Sequence, residues 1–256
     1  LTFFDTHYER DSDGRIRMNP AQALAAFPEA VNPLPDIAGL RYVATRVLAD
    51  KIPVSKNGQN AAKRLLQQLP ELPTRDIGGK KVLAPAERVF GEPKSTENPE
   101  LHAVFPFRLY GVEKADIDVA RGAFEARKNK RTGGAQPDAI QAAYLGLAAI
   151  ARQYVVENLT AKPALRFPAF WGPNGDWTPD QTHGSVAAMA LQSMLLQTDG
   201  QRILVAPAWP SDWDVEFKLY AAENTSVEGA IKGGKIERLK LSPDKRMSDV
   251  TRLDPQ

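Results

Sequence analysis

The chain has 256 residues, 43% of them hydrophobic and 25% charged, with a formal net charge of +2. That length buries a substantial core as one large domain or two small ones, and the near-neutral, scattered charge gives no electrostatic reason for nucleic acid or an anionic membrane as partner. The absence of cysteine excludes a disulfide framework, thiolate zinc sites and a cysteine nucleophile, and His7, His102 and His183 lie too far apart for HExxH-type spacing.

No metal or cofactor is called for. No apolar run approaches the ~18 residues of a membrane span, and no signal peptide is visible. The chain begins at Leu1 rather than Met, so an N-terminal portion of the same protein is expected to be missing.

In chain order the first two-thirds read helical. Asn19-Pro20 is a start signal leading into a helix over 21–27. Pro35 opens a second, with Ile37, Leu40, Val43, Val47 and Leu48 on one face. A third spans about 58–69, with Ala61, Leu65, Leu66 and Leu69 inward, before Pro70 and Pro73 break the chain. Residues 76–112 are less regular. Residues 114–128 are amphipathic, and 138–158 predict the longest helix, apolar enough to be covered on more than one side. A similar helix spans 184–198, stopped by Asp199-Gly200. From about residue 201 the period becomes alternating: Val215, Phe217 and Leu219, then Val227, Gly229 and Ile231. Gly233-Gly234 predicts a tight hairpin, and the broken alternation after Ile236 a bulge. Roughly seven helices before a β tail fit either an irregular bundle or part of a toroid of α-hairpins.

Three segments carry chemistry. In residues 83–88, Glu87 beside Arg88 in an apolar stretch reads as a general acid or as a surface ion pair. Residues 97–110 mix Glu100 and His102 with aromatic rings, a composition that lines sugar sites and equally a helix start over a buried aromatic face. Residues 167–185 gather Trp171, Asn174, Asp176, Trp177, Asp180 and His183 ahead of an apolar helix. That set reads as a ligand pocket, with Asp180 as an ordinary helix cap the alternative. Two carboxylates on separate segments with aromatics nearby are the minimum for glycoside hydrolysis.

Residues 98–110, 137–146, 166–185 and the tail from Leu204-Val205-Ala206-Pro207-Ala208-Trp209-Pro210 to Lys235-Ile236 resemble a bacterial group of large glycoside-hydrolase-like proteins. That group is in turn similar to the family-95 glycoside hydrolases, inverting α-L-fucosidases. The resemblance implies a mainly α chain with a β tail. It would comprise the C-terminal half of an (α/α)6 toroid over 1–200, a six-hairpin glycosidase, and a C-terminal β-sandwich-like domain over 201–256.

It also implies a general acid at Glu87, which keeps the Glu of the family's Pro-Glu-Asn, and a general base at Asp180, with His183 in place of an aromatic. Glu100, His102, Asn174 and Asp176 would bind sugar hydroxyls, with Trp171 and Trp177 as a platform. The family's pair of water-orienting asparagines has no counterpart here. Asp138 is a reserve carboxylate. An oligosaccharide or polysaccharide substrate and export to the periplasm or beyond follow from the same likeness. The rival readings are a non-catalytic glycan-binding protein or inactive fragment, and a polysaccharide lyase using Tyr110, His102 and Arg108.

Overall fold

The structure, a computed structural model, describes residues 1–49, 53–130, 135–161 and 182–253. Its contacts divide the chain into two units, Leu1–Asn129 and Lys130–Gln256.

The first unit begins with α1 (Thr2–His7), then β1 (Ala21–Ala23) and β2 (Phe27–Pro33), where a helix over 21–27 is expected. Packing explains the difference. β1 and β2 pair antiparallel, Ala21 opposite Ala30 and Ala23 opposite Phe27. Buried Ala23, Ala30 and Ala86 form a small apolar cluster on this sheet, with Phe27 and Val89 against them. Tertiary pairing thus overrides alanine's helix propensity.

Two helices follow, α2 (Leu34–Ala49) and α3 (Lys56–Gln68). Ser55 caps α3, its Oγ accepting from the Gly58 N–H at 3.1 Å. Ile37, Leu40, Leu65 and Leu69 meet Ile16 and Met18 in the core, while Val43 and Leu66 point outward. Asp5 on α1 is buried and binds the Arg64 guanidinium of α3 through Nη2 at 2.6 Å and Nε at 3.0 Å. Then come β3 (Thr74–Ile77), β4 (Lys80–Leu83) and β5 (Ala86–Val89). Gly78 and Gly79, both at positive φ, turn β3 into β4. β5 joins the first sheet beside β2, giving the order β1-β2-β5. A 3-10 turn (Pro99–Ala103) and α4 (Ile117–Ala126) complete the unit.

In the second unit the long helix expected over 138–158 is two, α5 (Asp138–Tyr144) and α6 (Ala148–Thr160). Gly146 sits at φ 70 between them. Its N–H donates to Ala143 O, and the Leu147 N–H donates to Ala142 O, the paired bonds of a Schellman termination. α7 (Thr182–Leu195) runs directly into β6 (Leu196–Asp199), so the strand region starts earlier than residue 201. Asp199 is the last residue of β6 and Gly200-Gln201 is the turn into β7 (Arg202–Val205), so Asp199-Gly200 is not a helix stop.

β8 (Val215–Ala221), β9 (Thr225–Lys232) and β10 (Lys235–Ser242) form an antiparallel meander. Gly233 and Gly234 make the expected hairpin at positive φ, and the register shifts between Ile236 and Arg238, the expected bulge. After a second 3-10 turn (Asp244–Asp249), β11 (Val250–Arg252) pairs parallel with β7.

The expected half of an (α/α)6 toroid followed by a β-sandwich-like domain is not what forms. About 40% of the structure is helix and 26% strand. The strands are interspersed among the helices in sheets of two or three, starting at residue 21, and no ring of stacked α-hairpins is present among the described residues. The 3.6-residue period identifies helices locally but does not reveal that the chain between them pairs as strands. No helix of the described residues is long and apolar enough to cross a membrane.

Candidate functional site

Glu87 lies on β5, exposed, one residue from the buried Ala86. The pairs Val31–Arg88 and Pro33–Ala86 set Asn32 of β2 opposite Glu87. Asn32 is 4% exposed and has φ 48, a left-handed conformation that asparagine tolerates better than most residues. Its Nδ2 donates to Glu87 Oε2 at 2.6 Å. Its Oδ1 accepts the Met18 N–H at 2.8 Å, and its own N–H donates to Met18 O at 3.0 Å. These partners fix the amide orientation, since a flipped side chain would oppose its oxygen to the carboxylate. Among the described residues nothing bonds to Glu87 Oε1. The surface ion pair with Arg88 does not form; the Arg88 guanidinium lies over the Phe90 ring, 4.6 Å from its centroid.

Glu100 sits in the 3-10 turn over buried Leu101 and Ala103, and is itself only 5% exposed. Burial raises its carboxyl pKa above the ordinary 4.5, opposed by its own backbone N–H and by the charges of Arg75 and Arg127. It lines a cleft of about 40 Å³ with Phe27, Arg75, Glu97, Asn98 and Lys128. The walls are ordered by their own bonds. Glu97 Oε2 accepts from the Ala25 N–H at 3.1 Å and from Ser95 Oγ at 2.9 Å, and Asn98 Nδ2 donates to Asn129 O at 2.9 Å. Lys128 pairs with Glu92 at 2.9 Å.

His102, from the same turn, is half-buried, and burial lowers its pKa, opposed by the charge of Glu97. It ends a row of rings. Phe107 stands 6.4 Å from His102 and 6.0 Å from Tyr42, whose ring is on an exposed position of α2. Phe107 reaches this place because Gly39 has no side chain; a Cβ there would lie 2.9 Å from Cζ of the ring. Tyr110 follows, its phenol pKa raised first by burial and then by Asp116. Arg108 is buried.

The structure therefore places Glu87, Glu100 and His102 in the first unit. Asp180, Trp171, Asn174, Asp176 and Trp177 lie outside the described residues, as does the side chain of His183, whose backbone is in the first turn of α7. Asp138 is buried in the first turn of α5, in the second unit. Sequence reasoning missed Asn32 and Tyr42. Asn32 is visible only once β2 and β5 are paired, and Tyr42 resembles any other residue on an amphipathic helix.

Among the described residues no group of three or more histidine, aspartate or glutamate side chains is placed to hold a metal ion. No family model matches the chain, and no curated protein matches it either.

Proposed function

We propose that the chain belongs to an exported carbohydrate-active hydrolase that cleaves a glycosidic bond with inversion, Glu87 protonating the departing oxygen and Asp180 taking a proton from water. The observation that carries the reading is the exposed Glu87 carboxyl on β5, held through Oε2 by Asn32 Nδ2. Its other oxygen is bonded by no described residue and lies on an exposed stretch, so it is accessible to a ligand, one geometric condition for proton donation. The cleft at Glu100 is small, about 40 Å³, and its Glu97, Asn98 and Lys128 groups already hold protein partners, so it has room for a hydroxyl or a water and not for a sugar ring. The Tyr42–Phe107–His102 row adds ring faces of the kind that pack on pyranose C–H faces. Glu100 and His102 act in this reading as hydroxyl ligands.

The test is release of reducing sugar from a panel of oligosaccharides by the whole protein, compared with Glu87→Gln and Asp180→Asn. Each substitution is expected to lower turnover by about 10²-fold or more. Unchanged turnover in both would end the assignment. Appearance of an ultraviolet-absorbing unsaturated product would replace it with a lyase, and saturable sugar binding without turnover with a glycan-binding protein.

A further inference from the structure

We propose that Asn32 is a positioning residue for Glu87, determining which of its two carboxyl oxygens carries the transferable proton. The inference rests on the reading of Glu87 as proton donor. A protonated carboxyl has one oxygen that only accepts and one hydroxyl that donates. Asn32 Nδ2 is only a donor and lies 2.6 Å from Oε2, so Oε2 is the accepting oxygen whenever the group is protonated. The hydrogen is thereby assigned to Oε1, the oxygen not bonded by any described residue, on an exposed stretch of β5.

The amide is well placed to impose this choice. Asn32 is held through two bonds to the backbone of Met18, and Met18 is fully buried in the core with Ile16, Ile37 and Leu65. The rigidity of the core thus reaches an exposed side chain through one amide. The clamp on Met18 uses only Oδ1 and the backbone N–H, so support of the fold alone does not require the Nδ2 end.

In the step itself the Oε1–H bond breaks as the proton passes to the glycosidic oxygen, which also keeps the electron pair of the breaking C–O bond. The oxygen of a water molecule bonds to the anomeric carbon, and its released proton goes to the base. One water is added across the bond, and Glu87 is left ionised until the base returns a proton through solvent.

The experiment uses the whole protein and two substrates of the sugar it releases, an unactivated glycoside and the glycosyl fluoride, whose leaving group departs without a proton. Asn32→Gly keeps the left-handed backbone and removes the amide. Asn32→Asp keeps the acceptor for the Met18 N–H but replaces the donor. Both are expected to lower kcat on the glycoside about 10²-fold with KM little changed, and to leave the fluoride within about threefold, the pattern also expected of Glu87→Gln.

A disturbed fold would lower both substrates alike. If the Asn32 variants lose activity equally on both substrates, or lose none, while Glu87→Gln keeps its selective loss, the positioning role is overturned and the proton-donor reading stands. If Glu87→Gln shows no selective loss, the proton-donor reading falls and the positioning role with it.

Discussion

Glu100 is a carboxyl enclosed by the fold, with its own backbone N–H donating to it and two arginines only near enough to act through their charge. Because burial lifts its pKa above the unfolded value of about 4.5, the native state holds a proton that the unfolded chain releases. Stability from this group therefore falls as pH rises from about 4.5 through the raised value, and the penalty is complete above it. Glu100→Gln, an isostere without the charge, is expected to melt higher than the parent at pH 7 and to converge with it near pH 4, measured by thermal denaturation. A parent more stable than the variant at pH 7 would mean that the arginines outweigh burial.

At this scale the sequence is informative about residue type and silent about partners. Glu87, Glu100 and His102 stand out because carboxylates and an imidazole are uncommon in apolar, proline-containing stretches. Asn32 does not, since its role depends on a residue 55 positions away.

Elements are legible where their period is local. α2 and α3 form where the apolar spacing expects helices, although Val43 and Leu66, expected inward, are exposed, and the β8–β10 meander follows from alternation plus Gly233-Gly234. The apolar pattern over 138–158 reads straight through Gly146, whose left-handed backbone ends α5. Apolar residues on both sides of a glycine form the same pattern whether or not the helix continues.

Gly229 shows the opposite case, a glycine inside a strand that holds its place by packing. The Phe217 ring crosses it from β8, so that a Cβ would lie 2.5 Å from the ring Cζ and 3.0 Å from Arg238 O. Gly229→Ala is expected to lower stability by about 1–3 kcal/mol through overpacking, read from urea unfolding. In the Phe217→Ala background the same substitution is expected to be milder, because the ring is gone. Equal losses in both backgrounds would locate the strain in the backbone contact with Arg238.

At the scale of the whole molecule, composition bounds the answer and topology escapes it. Ordinary hydrophobicity and the absence of cysteine fit a chain with a substantial core, yet the likeness to a toroid comes from segments that do not show how residues 74–89 pair. Strand pairing across long separations leaves little trace in a window of ten residues.

Whole-molecule stability should also carry an acid limb from His102. Burial lowers its pKa below the ordinary 6.5, so the unfolded chain binds a proton that the folded chain refuses. Stability is then lost as pH falls from about 6.5 toward the depressed value. His102→Gln is expected to flatten the slope of melting temperature against pH between 6.5 and 5, and an unaltered slope would remove His102 as its source.

The second unit closes on Arg246, buried in the 3-10 turn before β11. Its guanidinium donates to Gln201 O at the β6–β7 turn, to Ala222 O and Thr225 Oγ1 at the β8–β9 turn, and to the Asp249 carboxylate. This one side chain links the turns of the two sheets. β6 and β7 close as a local hairpin, but β11 pairs with β7 across some 45 intervening residues, a loop closure that is slow for a free chain. If the meander folds first, Arg246 is expected to tie the returning strand to both turns and to shorten that search. The parallel pair should therefore be the last part of the unit to become protected from hydrogen exchange during refolding, and its delay should lengthen when Arg246 is replaced.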